Sequence, residues 1–454
     1  MAFSSDSDEI HSLTQEEEQS LQTERIIFPT QHANKRKVSA AIFSVSSSSS
    51  SATNASTRST GSVMYRQVTF QPDSTIDVPK YAESLEGLEF AGFATHHAEA
   101  IMTNWINRGD DNPDSFKMYI RAHLAKQNTI TANSEDEKLR QLGIIEPYRQ
   151  AILDPRFKAV RDTREIYFWA VETVMTNWSS IFALQGKLKQ AAKRSQKKHK
   201  RQSLTSGTFA GPASAPTSSN ATAAFSATPS DESHLPTAHI ELVSEPPSKP
   251  PDHTFLYTGM SVCRDSEPLI SDDGDLQFEF ISTAPGGDFN SQDLALYMSE
   301  EKETAEVFRQ YAERRCPSSE SWIIRIAVPN DFLGSLDTKH IWYGYDWKYY
   351  VWLCRKALQL RAPRTYPEYC NAELLVGHIC KKPDTKSIPD GEAQTRITDD
   401  HVLRIPSGPR VGEKATQHVF MSPPVYARLA ERVRGRLYIE VVPASVPTHL
   451  IPAA

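Results

Sequence analysis

A run of positive charge near the middle of the chain is the clearest chemical signal in the sequence. It reads KLKQAAKRSQKKHKRQ, from Lys187 to Gln202, and contains no acidic residue. Its densest part comprises Lys193, Arg194, Lys197, Lys198, Lys200 and Arg201. Clustered lysines and arginines bind phosphates or an import receptor. A helix C-terminus also collects cations, because they complement its dipole. The run therefore predicts nuclear localisation or polyanion binding, with a solvated helix end as the alternative.

The cysteines and histidines give no sign of a metal site or of a disulfide framework. The cysteines are Cys263, Cys316, Cys354, Cys370 and Cys380, an odd number without a CxxC pair. His96, His97 and His378 lack the spacing to a second ligand pair that zinc sites show. We therefore expect reduced thiols and no metal ion.

Length and charge limit the class of protein. The chain has 454 residues and a net charge of -6, which excludes a protein that coats nucleic acid over its whole surface. The sequence contains no apolar run long enough to cross a membrane, and its N-terminus is acidic where a secretory signal would be basic. These features predict an intracellular protein of the nucleus or cytoplasm, without a membrane partner.

The elements that would position any site fall into four zones. Residues 1–75 are rich in serine, residues 203–250 are rich in Ser, Thr, Ala and Pro, and both zones are predicted to be disordered, the second as a linker. Residues 80–202 carry helical periodicity and end in the basic run. Their clearest segment starts at Arg164 and has a wide apolar face, which predicts a long helix packed in a small all-α bundle.

Residues 252–445 change character and predict an α+β domain. Short β-rich runs alternate there with helical stretches. The helices are expected from Ser299, from about Tyr345 and after Ser422, where two prolines mark a helix start. Leu276, Phe278 and Phe280 alternate as in a half-buried strand.

The order of these elements resembles one known fold. YTG at Tyr257–Gly259 ends a first strand, and DFNSQDLALYMSEE from Asp288 reads as a turn, a strand ending in Tyr297 and the start of a helix. WIIRIAVP, WKYYVWLCRKA, YCNAELLVGHI and QHVFMSPPVYARL follow in that order. Over residues 254–435 this succession resembles the ADP-ribosyltransferase-like fold, in particular its uncharacterised fungal and bacterial families.

The resemblance implies a cleft between two small sheets that binds NAD. In the family pattern a histidine of the first strand holds the adenosine ribose, a tyrosine stacks on nicotinamide, and a glutamate stabilises the cationic transition state. Thr258 stands at the first position, followed by Gly259; Tyr297 stands at the second and Gln417 at the third. Tyr297 alone keeps the pattern of these three.

The two departures decide what chemistry is expected. Thr258 keeps a hydroxyl that can reach a ribose. Gln417 loses the negative charge of glutamate, and losing one such preorganised group costs on the order of 100 to 1000-fold in rate. Each residue also has a plain structural interpretation: Tyr297 as a packing residue, Gly259 as a strand-end glycine that permits a turn, and PGGD at Asp288 as a turn.

Two functions from different classes stay open. The first is a degenerate ADP-ribosyltransferase-like domain that binds NAD or a nucleotide-like ligand and cleaves it weakly, as an NAD-dependent ADP-ribosyltransferase or NAD glycohydrolase, if at all. The second is a pseudoenzyme, a non-enzymatic interaction protein that uses this fold and the helical domain to bind partners, with the nucleus as one expected location.

Overall fold

The structure is a computed structural model of a mixed α/β protein with a large mixed sheet and several helices. It describes residues 13–44, 59–66, 74–109, 112–129, 132–205, 235, 239–262, 268–291, 293–356, 362–382, 385 and 387–445, and of residues 44, 198–205 and 362–363 the backbone alone. All structural statements below concern these residues.

Most strands belong to one sheet. In chain order the strands are Ile27–Phe28 (β1), Lys35–Ser39 (β2), Gly61–Tyr65 (β3), Thr75–Pro79 (β4), Ile240–Leu242 (β5), His253–Ser261 (β6), Leu296–Ser299 (β7), Ser321–Pro329 (β8), Thr338–Ile341 (β9), Leu374–His378 (β10), Thr416–Phe420 (β11) and Leu437–Val442 (β12). Strands β1, β2 and β4 form a small three-stranded sheet, and the others form a nine-stranded sheet in the order β5-β3-β12-β8-β6-β7-β11-β10-β9.

The large sheet is nearly divided in the middle. Strands β6 and β8 are paired along their whole length, from His253 with Pro329 to Ser261 with Ser321. Strands β6 and β7 share the single register pair Tyr257 with Ser299. The two halves of the sheet therefore diverge beyond this pair, and a gap opens between them.

Helices dominate the chain between residues 85 and 205. The helices up to this point are Gln15–Thr23 (α1), Ala41–Ser44 (α2), Leu85–Ala91 (α3), Thr95–Ile106 (α4), Phe116–Gln127 (α5), Glu135–Gln141 (α6), Glu146–Ile152 (α7), Lys158–Arg161 (α8) and Ile166–Thr205 (α9). The long helix predicted from Arg164 is α9, and its Trp169 and Trp178 are buried, as a wide apolar face requires.

Shorter helices flank the large sheet in the second half of the chain. They are Lys302–Arg315 (α10), Asn330–Ser335 (α11), Tyr345–Arg355 (α12), Ala362–Thr365 (α13), Pro367–Cys370 (α14), Ala393–Arg396 (α15) and Pro423–Arg432 (α16). Helix α10 buries Ala305, Tyr311 and Ala312 on one face, and Arg314 and Arg315 in its last turn complement the helix dipole. Helices α10, α12 and α16 correspond to the helices predicted from the sequence.

One hydrophobic core joins the first half of the chain to the second. Leu21 of α1, Val38 of β2 and Trp178 of α9 belong to it, together with Tyr311 of α10. The Tyr311 hydroxyl donates a hydrogen bond to the carbonyl oxygen of Ile152, which ends α7. The predicted helical and α+β regions are thus packed against each other through α10.

The structure corrects the prediction of disorder for part of the first and third zones. Residues 15–44 and 59–66 form helices and strands, and β3 pairs in parallel with β12. Val63 of β3 is almost completely buried. This burial helps to offset the entropy lost on ordering the segment, and the average composition of residues 1–75, which is rich in serine, does not indicate it. In the predicted linker, β5 pairs with β3. Residues 46–51 and 206–234, the core of each prediction, lie outside the described residues.

The strand predicted around Phe278 is also wrong. Residues Phe278–Ile281 form a single 3-10 turn that packs against α16. Phe278 and Phe280 are nevertheless both buried. Alternation of apolar residues over so short a segment therefore predicts burial correctly, but it does not distinguish a strand from a 3-10 turn.

Candidate functional site

A cavity of about 220 Å³ lies where β6 and β7 diverge. The chain around Arg164 and the first turns of α9 contribute its outer wall, with Phe168, Trp169 and Glu172. Strand β6 and helix α10 contribute a second wall. Strands β7 and β11 and the turn at Asp288 contribute the third. The site is thus assembled from both halves of the chain.

The structure brings the four residues singled out by the resemblance to this one cavity. Thr258 and Gly259 line it from β6, Tyr297 from β7 and Gln417 from β11. These strands are neighbours in the sheet order β6-β7-β11, which explains how residues so distant in the chain meet. What the cavity binds stays a prediction.

Gly259 lies in the middle of β6 and allows α10 to approach the sheet closely. A Cβ atom at this position would lie 1.9 Å from the carbonyl oxygen of Ala305 and 2.9 Å from the amide nitrogen of Arg309. Both atoms belong to the backbone of α10, so a side chain cannot be accommodated by a rotamer change. Close packing, not the turn considered from the sequence, accounts for this glycine.

Tyr297 is held by its hydroxyl group. The hydroxyl donates to Oδ1 of Asn290 over 2.8 Å and accepts from the amide of Phe289 over 3.0 Å. Burial, followed by the nearby charge of Asp288, raises the pKa of Tyr297 well above its usual value. The phenol is therefore neutral at physiological pH, and its contribution to the cavity is a fixed aromatic ring.

The turn that holds Tyr297 is organised by Asn290. The Asn290 side chain accepts from the amide of Gly287 and donates to the carbonyl oxygens of Thr283, Ala284 and Asp293. A Cβ atom on Gly287 would lie 2.5 Å from the Tyr297 hydroxyl oxygen. The PGGD turn inferred from the sequence is therefore also part of the wall of the cavity.

The Gln417 side chain is fixed by two hydrogen bonds. Its Nε2 donates to Oδ2 of Asp288 over 3.0 Å and to the carbonyl oxygen of His378 over 3.2 Å. Gln417 is almost completely buried. Both hydrogens of the amide are thus committed, and the group is oriented by the protein itself.

Asp288 and Arg355 are functional candidates that the sequence analysis missed. The Asp288 carboxylate pairs with the Arg355 guanidinium over 2.7 Å and accepts from the amide of Cys380 over 2.8 Å. Both side chains are buried. Burial opposes the charge of Arg355, but the Asp288 carboxylate outweighs it and raises the pKa of the guanidinium.

A signal for these two residues was present in the sequence. The resemblance placed Asp288 at the head of the DF turn and Arg355 in the tryptophan-led helix, α12. From the local sequence Asp288 is predicted only as a turn residue, because PGGD fits a turn without any further role. A spacing of 67 residues between the ionic partners hides such a pair from local pattern analysis.

The cavity offers no unpaired carboxylate among its described lining residues. Asp288 is paired with Arg355, and Glu172 of α9 is paired with Arg315 of α10 over 2.9 Å. A carboxylate already neutralised by a guanidinium stabilises a developing cation less than a free one does. The arrangement suits binding of a polar ligand better than cleavage of a glycosidic bond.

The basic run continues α9 without a break to Thr205. Lys193 and Lys197 are exposed, Arg194 is half-buried, and the side chains of Lys198, Lys200 and Arg201 lie outside the described part of the chain. Between them Ser195 is buried, and it accepts a hydrogen bond from the Ser20 hydroxyl of α1. One face of the run is therefore covered by α1, and the role of the exposed face stays a prediction.

Comparison with known proteins shows no family for this chain. No protein-family model matches it, and no curated protein or solved structure gives a significant match. Within the described ranges, no helix combines the length and the apolar character needed to cross a membrane. Likewise, no cluster of three or more His, Cys, Asp or Glu side chains among these residues could hold a metal ion.

Proposed function

We propose that this chain binds NAD, or a nicotinamide nucleotide related to it, in the cavity between β6 and β7, and that it cleaves the ligand slowly or not at all. The observation that carries the proposal is the convergence of Thr258, Tyr297 and Gln417 on one cavity. The resemblance assigns these three positions to one ligand.

Two further features support the ADP-ribosyltransferase-like architecture behind this proposal. The sheet is held together at its centre by a single register pair, in keeping with a split pair of sheets. Tyr297 presents a ring whose hydroxyl is fixed by Asn290, so that stacking on a flat ligand would cost little side-chain entropy. Slow or absent cleavage follows from the paired state of Asp288 and Glu172.

Calorimetric titration of the whole chain with NAD tests the proposal. We expect binding by the wild type and at least about a fivefold loss of affinity in Tyr297→Ala, because aromatic stacking contributes on the order of 1 kcal/mol beyond burial. Tyr345→Ala is the matched control, since Tyr345 is exposed and does not line the cavity. A folded wild-type protein that binds neither NAD nor nicotinamide mononucleotide contradicts the proposal.

The non-enzymatic alternative is favoured by the exposed lysines of the basic run. Lys193 and Lys197 are available to a partner, although α1 covers the opposite face of the helix. On this reading the run drives nuclear accumulation through an import receptor. A variant with Lys197, Lys198, Lys200 and Arg201 changed to alanine should then lose nuclear enrichment in cells, and an unchanged distribution would count against the alternative.

A further inference from the structure

The charges around the cavity do not cancel. Asp288 is paired with Arg355, and Glu172 with Arg315, so each of these pairs is close to neutral. Arg164 also lines the cavity, and no carboxylate among the described residues lies within ion-pair distance of it. Arg164 therefore has no ion-pair partner of its own at the wall of the cavity, and the two carboxylates that act on it, Asp288 and Glu172, are each paired with another arginine.

Arg164 is held in place by neutral groups. Its Nη1 donates to the carbonyl oxygen of Gly286 over 2.9 Å, and its guanidinium lies 5.3 Å from the ring centre of Phe168. A guanidinium has five N–H donors in a fixed fork, so several remain for a ligand. Burial lowers the pKa of Arg164, against the opposing effect of the nearby Asp288 and Glu172 carboxylates. A cation in such surroundings gains most from an anionic ligand.

Two other polar groups at the cavity wall have no hydrogen-bond partner within the described ranges. They are Oγ1 of Thr304 and Nε of Arg315, and both residues are 1% exposed. A buried polar group without a partner is costly, on the order of 1 to 3 kcal/mol in proteins. Both residues line the same cavity as Arg164, a second observation that is in keeping with a polar ligand.

The size of the cavity limits the ligand. Sites that enclose a whole drug-sized molecule measure about 300 to 1,000 Å³. The present cavity, at about 220 Å³, is smaller, and the segment from Arg164 to Glu172 forms its outer wall. The cavity is therefore too small to enclose an intact dinucleotide. A single nucleotide unit is the part of a dinucleotide that is closest to the cavity in size.

The positions of Arg164 and Tyr297 indicate how one nucleotide unit would lie. Arg164 binds the carbonyl of Gly286, and the neighbouring residue Gly287 approaches the Tyr297 hydroxyl so closely that a Cβ atom would be 2.5 Å from it. The guanidinium and the tyrosine hydroxyl thus lie beside adjacent residues of one short turn, and the two side chains are close enough to interact electrostatically. A ligand with a flat ring and a phosphate a few bonds away could contact both.

We infer that the enclosed ligand is a nicotinamide mononucleotide unit whose phosphate binds Arg164. The inference rests on the proposed function for the identity of the ring, and it adds an anion-binding residue supplied by the helical half of the chain. Arg164 lies outside residues 254–435, to which the family resemblance is confined.

Calorimetry on the full-length chain tests the inference with nicotinamide mononucleotide, nicotinamide riboside, NAD and inorganic phosphate as probes. We expect the mononucleotide to bind at least about tenfold more tightly than the riboside, because a charge-assisted hydrogen bond to phosphate is lost in the riboside. Arg164→Gln should abolish that difference, and Arg164→Lys should retain part of it, since lysine keeps the charge without the fork.

The matched control is Arg140→Gln, which removes an exposed arginine remote from the cavity. It should leave the ratio between mononucleotide and riboside unchanged, and thermal unfolding of each variant verifies that it is folded. Should Arg164→Gln fail to fold, the ratio measured in Arg164→Lys and in the wild type still decides the matter.

The outcomes separate the inference from the proposed function. Equal binding of mononucleotide and riboside to the wild type overturns the inference and leaves nicotinamide recognition standing. Binding of inorganic phosphate that depends on Arg164, without binding of any nicotinamide compound, supports the anion site and overturns the proposed function. If no probe binds the folded wild type, both are wrong.

Discussion

The Gln417 amide and the Asp288 carboxylate lie 3.0 Å apart in the cavity, and this contact changes what a charge at position 417 would do. By the resemblance alone, Gln417→Glu should restore the missing catalytic group. The structure places the new carboxylate beside an existing one, and two carboxylates at such a distance do not both ionise readily. An ionised glutamate at position 417 therefore requires that the negative charge of Asp288 be removed at the same time.

We expect Gln417→Glu alone to leave nicotinamide release from NAD near the wild-type rate. Gln417→Glu combined with Asp288→Asn keeps one carboxylate and one amide with their places exchanged, and should raise release at least about tenfold above the single variant. Both are made in a Thr258→His background so that the other departure from the family pattern does not limit the rate. Release is followed by chromatography of free nicotinamide.

Asp288→Asn in the same background is the control for this experiment. It should show no gain, because it removes a carboxylate without supplying one at position 417. A single Gln417→Glu variant as active as the combined variant would mean that Asp288 does not govern the charge at this site.

The contact between strand β6 and helix α10 depends on the absence of a side chain at position 259. Gly259→Ala places a methyl group 1.9 Å from the Ala305 carbonyl oxygen, so the strand and helix must separate. We expect the free energy of unfolding to fall by about 1 to 3 kcal/mol, the usual cost of overpacking. Urea denaturation monitored by tryptophan fluorescence measures it.

Gly334 in α11 is the matched comparison for Gly259. A Cβ atom there has no neighbour within 4 Å, and alanine favours a helix over glycine. Gly334→Ala should therefore leave stability unchanged or raise it slightly. Equal effects at both positions would show that the close approach of α10 to β6 is not what stabilises this junction.

The sequence predicts elements best where a long periodic pattern is present. Helix α9 begins within two residues of the predicted start, because its apolar face repeats over many turns. Strand β3 was missed because five residues of strand lie in a zone whose average composition is that of a disordered segment. Its partner β12 is distant in the chain, so no local pattern reports the pairing.

The candidate site shows the same contrast between ordered motifs and distant partners. Thr258, Tyr297 and Gln417 were found because the order of the surrounding motifs marks their positions. The ionic bond from Arg355 to Asp288 and the contribution of Arg164 could not be read in this way, since both depend on how distant segments pack. The ordered motifs therefore predict residues that line the cavity, but not the charged groups that surround them.

The core that both halves of the chain share predicts that they stay together when the chain is cut between residues 206 and 234. Arg315 of α10 is buried and binds Glu172 and Thr173 of α9, and β3 lies between β5 and β12 in the large sheet. We expect a chain with a protease site inserted between residues 206 and 234 to elute after cleavage as one complex in size-exclusion chromatography. The packing seen here replaces the expectation of two independent bodies joined by a linker.

Denaturation of the cleaved complex is the control, since both fragments should then elute separately. Val63→Asp should weaken the complex, because it places a charge in the buried centre of β3. Elution of two separate folded fragments without denaturant would contradict the shared core.

The pairing of β3 with β12 also determines when this part of the sheet can fold, because β12 is synthesised long after β3. Arg66, directly after β3, forms ion pairs with Glu306 and with Glu440 of β12, which lies 374 residues further along the chain. At about 5 to 20 residues per second, synthesis of that stretch lasts on the order of 20 to 75 s. During this time β3 has no β12 to pair with, and closure of so non-local a contact is slow in itself. We expect ribosome-bound chains that end before residue 437 to be cut by added protease near β3, and released full-length chains to resist it.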